Sequence, residues 1–332
     1  MTERLNTVRL GANGPLVGRQ GFGAMAINTE YYGATDEQAA RATLERALEL
    51  GVTLIDTADT YGDGANERFL APFLADHRAE VVLATKFGLG DRAAGIVNDP
   101  RRIRAFAEAS LERLGVSHID VYYMHRRDPA VPIESVVEAM AELVADGLVG
   151  HLGLSEVTAP ELRAAHAVHP IAAVQSEWSL FSRDIEAQVV PAAAALGVAL
   201  VAYSPLGRGV LTGAIPSADH LDPADYRRRM PRFAEGNATR NHDLLAPLRT
   251  VAEAHAASLA QVALAWLHAR EARFGLPVIP IPGTRSPARL TENTAATRLT
   301  LTSEDEALLN SLATAVSGPR YADMTFASAG RE

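Results

Sequence analysis

The chain contains no cysteine among its 332 residues. Disulfide frameworks and thiolate metal sites are therefore excluded, and we expect no metal centre. The longest apolar stretch, near Ala192 to Tyr203, is about a dozen residues, whereas a membrane-spanning helix needs roughly 20. The opening segment MTERLNTVRL lacks the apolar core of a secretory signal. These absences predict a soluble, cytoplasmic protein with no membrane partner.

Positive charge is scarce, and lysine is nearly absent. The chain has 31 basic and 40 acidic residues, a formal net charge of -9, and every basic residue but one is arginine. The densest basic run, Arg227 to Arg229, lies in a polar segment and predicts a solvated loop, so no nucleic-acid partner is expected. The single lysine is Lys86. An ammonium is a compact charge that a planar guanidinium does not replace, which favours a functional Lys86, although composition alone also allows a chance survival.

Short apolar runs alternate along the chain with helical patterns. The runs begin near Gln20, Thr53, Val81, Ile119, Leu148, Ile171, Val198 and Pro277. Most are continuously apolar, which is typical of strands buried on both faces. This alternation predicts a parallel sheet, and eight such units in a chain of this length predict an α/β fold of the (β/α)8 TIM-barrel class.

An open, doubly wound sheet is the competing architecture. Gly21, Gly23 and Ala26 spell the G-x-G-x-x-A pattern of dinucleotide-binding sheets. A phosphate cradle of that kind needs a helix directly after the glycines. Turn residues follow here instead, and the next helical pattern begins only near Thr35. We therefore favour the barrel.

The whole chain, residues 1–332, is predicted to form one barrel domain. Segment 1–18 predicts a β-hairpin with a short Asn13-Gly14 turn that plugs one end of the barrel. Segment 207–241 is the longest non-periodic stretch and predicts a loop that contacts substrate or cofactor. Segment 301–332 predicts a C-terminal helix followed by a tail.

Three helix starts can be predicted from capping patterns. Thr35 with Gln38, and Ser303 with Glu306, match the capping box. Asp99 is followed directly by proline, which is typical of an N-cap and the first helical position.

Four polar residues stand where three successive predicted strands end. Asp56 and Tyr61 follow the second run, Lys86 the third and His125 the fourth. Strand ends converge at one mouth of a barrel, where barrel enzymes carry out their chemistry. A phenol is a poor acid near neutrality, but an ammonium at Lys86, held by Asp56, would lower the pKa of Tyr61. His125 could then hold a carbonyl oxygen. Each residue alone is explained as a loop aromatic, a core histidine or a buried ion pair, whereas together they predict a site for carbonyl reduction.

Several sequence blocks, taken in order, resemble one known family. The blocks are GFGAM from Gly21, IDTADTYGDGANE from Ile55, ATKFG from Ala84, DVYYMHR from Asp120, GLSEV from Gly153, VQSEWSLFSR from Val174, AYSPLGRGVLTG from Ala202 and IPIPGTR from Ile279. Together they resemble the aldo-keto reductases over nearly the whole chain, and in particular bacterial members related to potassium-channel β subunits. The resemblance implies reduction of aldehydes or ketones by NADPH, with Tyr61 as proton donor, Lys86 and Asp56 tuning it, and His125 orienting the carbonyl.

The resemblance also implies a set of NADPH contacts. The nicotinamide end would be lined by Gly23, Ala24 and Met25, its carboxamide would be bound by Ser155 and Gln175, and its ring would stack on Tyr203. The pyrophosphate would contact Ser204, Leu206 and Arg208. The 2′-phosphate would be held by Gly283, Thr284, Arg285 and Arg289, and the adenine would contact Glu292 and Asn293. The two arginines also suit the site on physical grounds, because a phosphate favours bidentate guanidinium donors at a helix N-terminus.

Three positions depart from the family pattern. Glu156 stands where many members have asparagine, and a carboxylate beside the nicotinamide is unexpected, so Glu156 is not counted as a ligand. Met124 stands where many relatives have glutamine, and Trp178 stands where tyrosine is common. Trp178 would either line the substrate pocket or pack under the loop.

Two other functions remain open at this point. A lone lysine on a barrel strand could form a Schiff base, as in an aldolase. The chain could also be an NADPH-binding redox sensor or a subunit of a larger complex with little turnover. The natural carbonyl substrate is not identified by the sequence, and no oligomer is indicated.

Overall fold

Eight short parallel strands form the centre of the molecule. The computed structural model describes residues 4–27, 29–90, 95–234 and 236–332. The strands of the central sheet are β3 (Phe22–Gly23), β4 (Leu54–Asp56), β5 (Val82–Phe87), β6 (Ile119–Met124), β7 (Val149–Ser155), β8 (Ile171–Glu177), β9 (Ala199–Tyr203) and β10 (Val278–Pro280). They lie side by side in chain order from β3 to β10. The amide of Gly21 donates to the carbonyl of Pro280 at 2.9 Å, which joins the two outer strands and closes the predicted barrel.

Helices alternate with these strands and cover the outside of the barrel. They are α1 (Thr29–Tyr32), α2 (Glu37–Glu49), α3 (Ala65–His77), α4 (Pro100–Leu114), α5 (Ile133–Ala145), α6 (Ala159–Val168), α7 (Val189–Leu196), α8 (Asn237–Asp243), α9 (Ala246–Ala254), α10 (Leu259–Phe274), α11 (Pro287–Ala295) and α12 (Ser303–Asn310). In the part of the chain described above, no helix is both long and apolar enough to cross a membrane.

The helix ends follow the local sequence closely, with two corrections of one residue. Asp99 caps α4 as predicted. The cap of α2 is Asp36 and not Thr35, because the Asp36 carboxylate accepts from the amides at the start of the helix. The capping box of α12 pairs Thr302 with Asp305, one residue before the predicted pair.

A β-hairpin lies across the amino-terminal end of the barrel. It consists of the antiparallel strands β1 (Thr7–Arg9) and β2 (Leu16–Gly18). Leu10 and Val17 are buried in one cluster with apolar side chains of the barrel strands, including Leu54. The predicted short Asn-Gly turn is wrong: Arg9 pairs with Leu16, so residues 10–15 connect the strands, and the left-handed backbone position is Gly11, with φ of +74°.

The segment predicted as a long loop is a series of short 3-10 turns that ends in α8. The tail after α12 also folds into short turns, at Leu312–Ala315, Met324–Phe326 and Ser328–Gly330. Tyr321 and Phe326 of this tail reach the cavity described below, so the tail returns to the carboxyl end of the barrel.

Candidate active site

A cavity of about 1750 Å³ opens where the strands of the barrel end. Its walls come from residues in the last part of most of the strands or just after them, including Met25, Tyr61, His125, Gln175, Tyr203 and Pro282. Arg289, Glu292 and Asn293 of α11 also line it. The cavity therefore reaches from the strand ends of the barrel to the outer helix α11.

Lys86 lies fully buried beneath this cavity, and its ammonium has three hydrogen-bond acceptors. It donates to Asp56 Oδ1 at 2.5 Å, to the carbonyl oxygen of Thr57 at 2.7 Å and to Tyr61 Oη at 3.3 Å. Gln175 Nε2 holds the second oxygen of Asp56 at 2.8 Å. Burial by itself lowers the pKa of Lys86, but Asp56 and Tyr61 outweigh it, so the pKa is raised and the ammonium stays charged.

The turn after β4 places Tyr61 above Lys86. The amide of Asp59 donates to the carbonyl of Lys86 at 3.1 Å, and the amide of Asn66 donates to the carbonyl of Tyr61 at 3.1 Å. The side chain of Asn66 also bonds the carbonyl of Ala24 at 2.9 Å, which ties this turn to the end of β3. Tyr61 is thus held by backbone contacts on both sides.

The pKa of Tyr61 differs in direction from the sequence prediction. Burial raises the pKa of the Tyr61 phenol, Lys86 lowers it and Asp56 raises it again, and the result is a pKa above the ordinary value. The predicted lowering by Lys86 is present but smaller than the effect of desolvation, which the sequence does not reveal. Tyr61 is therefore a protonated phenol with a cation beside its oxygen.

His125 directly follows β6 and continues its ladder, because its amide donates to the carbonyl of Phe87 at 2.8 Å. Its ring lies edge-on to that of Tyr61, with 5.8 Å between the centroids. Burial, together with the charges of Arg126 and Lys86, holds the pKa of His125 well below its usual range. His125 is consequently neutral and faces the cavity beside the Tyr61 phenol.

Most of the predicted cofactor residues line the cavity. These are Gly23, Met25, Gln175, Tyr203, Ser204, Leu206, Arg208, Gly283, Thr284, Arg285, Arg289, Glu292 and Asn293. Two other predicted cofactor residues are buried and do not line the cavity. Ala24 is fully buried, and Ser155 is buried with its hydroxyl accepting from Arg126 at 3.2 Å.

The two arginines predicted at the 2′-phosphate have different surroundings. Arg285 donates to the carbonyl oxygens of Tyr32, Gly33 and Ala34 at 3.0, 2.9 and 2.7 Å, so its guanidinium secures the turn after α1. Arg289 is exposed on the first turn of α11, which is capped by Ser286. Arg289 is therefore the better placed of the two for an incoming phosphate.

Glu156 is fully buried, and its contacts explain why a carboxylate stands there. It accepts from Tyr203 Oη at 2.7 Å, from Arg320 Nη1 at 3.1 Å and from the amide of Ser328 at 3.0 Å. Burial by itself raises the pKa of Glu156, but Arg320 and Arg126 outweigh it and hold the pKa below its usual value. Glu156 thus anchors the C-terminal tail and orients Tyr203 from behind.

The other two departures also have structural explanations. Met124 is fully buried in the largest apolar cluster. Trp178 is fully buried against Trp266, with 6.5 Å between the ring centroids, and its indole donates to Glu186 at 3.0 Å. Neither side chain lines the cavity, and Trp178 packs against Trp266 and Phe274 of α10.

Several cavity residues were missed at the sequence level. They are Tyr31, Arg126, Tyr226, Arg227, Tyr321 and Phe326. The prediction of a solvated loop is wrong for Arg227, which pairs with Asp225 at 2.6 Å and lies 4.8 Å over the ring of Tyr32. Arg126 directly follows His125, and this position at a strand end is a signal that could have identified it. Tyr321 lies in the tail, where no periodic pattern marks it.

Comparison with known proteins agrees with this geometry. Residues 20–314 match the model of the Aldo/keto reductase family. The glycerol dehydrogenase from Gluconobacter oxydans is 29% identical, with a TM-score of 0.80 over 94% of this chain and 97% of that one. An aldo-keto reductase from Bacillus halodurans, solved in its holo form, is 26% identical, with a TM-score of 0.75 over 99% and 100% of the two chains.

A third similar structure is a thermostable aldo-keto reductase in complex with the inhibitor epalrestat. It is 27% identical, with a TM-score of 0.74 over 93% of this chain and 100% of that chain. The match to the family model covers most of the sequence, and the chain belongs to the aldo-keto reductase family, whose members are oxidoreductases that act on carbonyl compounds.

Proposed function

We propose that this protein reduces the carbonyl group of small aldehydes or ketones to alcohols with NADPH, and that Tyr61 donates the proton. The observation that carries the proposal is the ammonium of Lys86, which contacts Asp56, Thr57 and Tyr61 at once beneath the floor of a large cavity. A charge held by three acceptors is preorganised, and it costs little rearrangement when charge develops on the phenol.

Tyr61 acts as the proton donor in this proposal. Its raised pKa keeps the hydroxyl protonated near neutrality, as a donor requires. When the proton leaves, Lys86 Nζ at 3.3 Å stabilises the phenolate. Asp56 keeps the ammonium in place, and Gln175 keeps Asp56 in place.

His125 orients the substrate oxygen. A neutral imidazole can donate one hydrogen bond without placing a second positive charge beside Lys86. Its ring stands edge-on to Tyr61, so both groups can approach one carbonyl oxygen from neighbouring positions. A carbonyl bound there accepts a hydrogen bond from His125 and the proton from Tyr61.

The donor set along the cavity suits a phosphorylated dinucleotide. Arg208 and Arg289 both line the cavity, and Arg289 lies in the first turn of α11. Helix N-termini and guanidinium groups are the usual protein partners of phosphates. Gln175, Tyr203 and Gly23 remain near the chemistry, where they would hold the nicotinamide end. Bound in this way, NADPH would supply the hydride that reduces the carbonyl carbon.

The proposal is tested by the Tyr61→Phe variant with a panel of aldehydes, sugars and ketones. We expect turnover to fall by roughly 100- to 10,000-fold, the usual contribution of a general acid, with NADPH affinity nearly unchanged. Tyr122→Phe is the matched control, because Tyr122 is buried on β6 and its hydroxyl has no hydrogen-bond partner among the described residues. Tyr122→Phe should retain normal turnover.

Three results would contradict the proposal. Equal losses of turnover and NADPH binding in Tyr61→Phe would indicate a structural tyrosine. Tight NADPH binding by the wild type with negligible turnover on the whole panel would favour a redox-sensing or complex subunit. A covalent adduct at Lys86, trapped by borohydride with substrate, would favour Schiff-base chemistry.

A further inference from the structure

Arg126 is a nearly buried cation in the wall of the cavity, directly beside His125. Its exposed fraction is 8%. Its Nη1 atom donates to the carbonyl of His125 at 2.7 Å and to Ser155 Oγ at 3.2 Å, and its Nη2 atom reaches Tyr321 Oη at 3.5 Å. All of these acceptors are uncharged. The guanidinium also lies 5.8 Å from the ring centre of Tyr203.

The buried arginines around it have carboxylate partners. Arg208 pairs with Glu177 at 3.2 Å, and Arg320 pairs with Glu156 at 3.1 Å. Arg126 forms no ion pair with any residue in the described part of the chain. The Glu156 carboxylate acts on Arg126 only from beyond ion-pair distance. A buried charge without a directly bonded counter-ion gains from a partner that arrives from outside, and the open side of Arg126 is the cavity.

We propose that Arg126 is a specificity residue that binds an anionic oxygen group, a carboxylate or a phosphate, on the carbonyl substrate. This inference rests on the proposed function and names the substrate class. The planar guanidinium offers paired donors that match two oxygens of such a group. Arg126 follows His125 in the chain, so an anion bound to it lies only a few bonds from a carbonyl held by His125.

Arg126 is also distinct from the arginines expected at the cofactor. Arg289 lies on the outer helix α11, whereas Arg126 comes just after strand β6, and Arg208 is held by Glu177 and Tyr321. The substrate end, next to the Tyr61 phenol and His125, is therefore positively charged in a protein whose net charge is -9. A neutral carbonyl compound would leave Arg126 without a directly bonded anion.

The test compares each anionic substrate with its neutral counterpart. The carboxylate arm uses succinic semialdehyde and its methyl ester, and the phosphate arm uses glyceraldehyde 3-phosphate and glyceraldehyde, all with saturating NADPH. We expect the wild type to prefer the anionic substrate in one of the two arms, and that arm shows whether Arg126 binds a carboxylate or a phosphate. In Arg126→Met the ratio of kcat/KM for the anionic substrate to kcat/KM for the neutral one should fall by roughly 10- to 100-fold, because a charge-assisted contact is lost. We expect most of this change in the KM of the anionic substrate.

Arg229→Met is the matched control, because Arg229 is an exposed arginine at the rim of the same cavity. If general attraction by positive charge explained the preference, both variants would lower the ratio alike and the proposal would be wrong. A wild type that prefers the neutral compound in both arms would also overturn it. So would an Arg126→Met variant that loses NADPH affinity while keeping the anion-to-neutral ratio.

A binding measurement separates this inference from the proposed function. Succinate and glycerol 3-phosphate carry the anionic groups but no reducible carbonyl, and their affinity for the NADP+ complex can be measured by calorimetry. Binding of one of them that weakens in Arg126→Met, without any reductase turnover, would support the anion site and contradict the reductase. Turnover of neutral carbonyl compounds, with no anion binding that depends on Arg126, would support the reductase and contradict the anion site.

Discussion

The ammonium of Lys86 lies 3.3 Å from the phenolic oxygen of Tyr61 and 5.0 Å from the centre of its ring. The two residues are 25 positions apart, and the turn after β4 brings them together because its backbone is bonded to β5. The same ammonium also contacts Asp56 and the carbonyl of Thr57. The position of this single charge therefore depends on three acceptors at fixed distances.

The first prediction concerns the geometry of this charge. Lys86→Arg keeps the formal charge, but a planar guanidinium is larger than an ammonium and cannot occupy the fully buried space between the same three acceptors. We expect kcat to fall by roughly 100-fold or more, with NADPH affinity changed by a small factor. Steady-state kinetics, fluorescence titration with NADPH and a melting curve measure these quantities together. Wild-type turnover in a folded Lys86→Arg protein would show that charge alone is sufficient.

The second prediction concerns the two arginines near α11. Arg289→Met should reduce affinity for NADPH by roughly 10-fold or more and leave affinity for NADH unchanged, because only NADPH carries the 2′-phosphate. Arg285→Met should affect the ratio of the two affinities less and lower the melting temperature more, since Arg285 is bonded to the carbonyls after α1. Equal effects of both substitutions on the NADPH-to-NADH ratio would contradict this division of roles.

The third prediction concerns the anchor of the tail. Glu156 and Arg320 are buried partners at 3.1 Å, and Arg320 also pairs with Asp184 at 2.9 Å. Arg320→Met leaves the Glu156 carboxylate without its ion-pair partner and should lower the free energy of unfolding by about 3–5 kcal/mol. Glu156→Gln should lower it less, because Arg320 keeps Asp184. The double variant should lose less than the sum. Urea unfolding of all four proteins gives the coupling energy.

The exposed pair Arg104 and Asp146 provides the control for this cycle. Their side chains are 43% and 53% exposed, and the coupling energy of such pairs is about 0–1 kcal/mol. A coupling energy for Glu156 and Arg320 that is as small as this would mean that other contacts hold the tail.

The fourth prediction concerns pH. Burial, with the nearby Glu67 carboxylate, raises the pKa of Asp59 from 3.8 to about 7. Between these two values the folded carboxyl keeps its proton while the unfolded one has lost it, so the contribution of Asp59 to stability is present at low pH and is lost as the pH rises through 7. Asp59→Asn removes this dependence. We expect the melting temperature of the wild type to fall relative to Asp59→Asn when the pH is raised from mildly acidic to mildly alkaline.

Asp76→Asn is the control for the pH series, because Asp76 is exposed on α3. Its melting temperature should follow that of the wild type at every pH. If the melting temperatures of the wild type and Asp59→Asn changed with pH in the same way, Asp59 would be ionised in the folded protein throughout the range.

Much of the fold was predictable because strand and helix signals are local. Each predicted apolar run contains a strand that begins within about two residues of the predicted start, as at Ile119 and Ile171, since buried parallel strands are continuously apolar. The two helix caps were wrong by one residue because neighbouring Thr, Ser and Asp side chains can all accept from the first helical amides. The hairpin turn was wrong because the connection between its strands also bonds the barrel: the amide of Ala12 donates to the carbonyl of Gly197 at 2.8 Å, and a partner so far away in the sequence is not visible in a local turn motif.

The candidate site was also predictable where its signals are local, and not where they come from distant residues. The chain order of Asp56, Lys86 and His125 at successive strand ends predicted that they would meet, and the structure places them together. The tail contact was not predictable, because Tyr321 is 195 residues from Arg126 and no repeating pattern connects them. Hydrogen-bond partners at that separation are not encoded in any local spacing.

The sequence alone therefore determined the order of the elements and the residues that terminate each strand, because periodicity and chain breaks act over a few neighbouring positions. The tertiary structure decided which charges are paired and which face the cavity. It bonded Glu156 to Arg320, turned Arg285 toward backbone carbonyls and left Arg126 without a carboxylate partner among the described residues. Desolvation and Coulomb energies depend on distances between residues remote in the chain, and those distances exist only after folding.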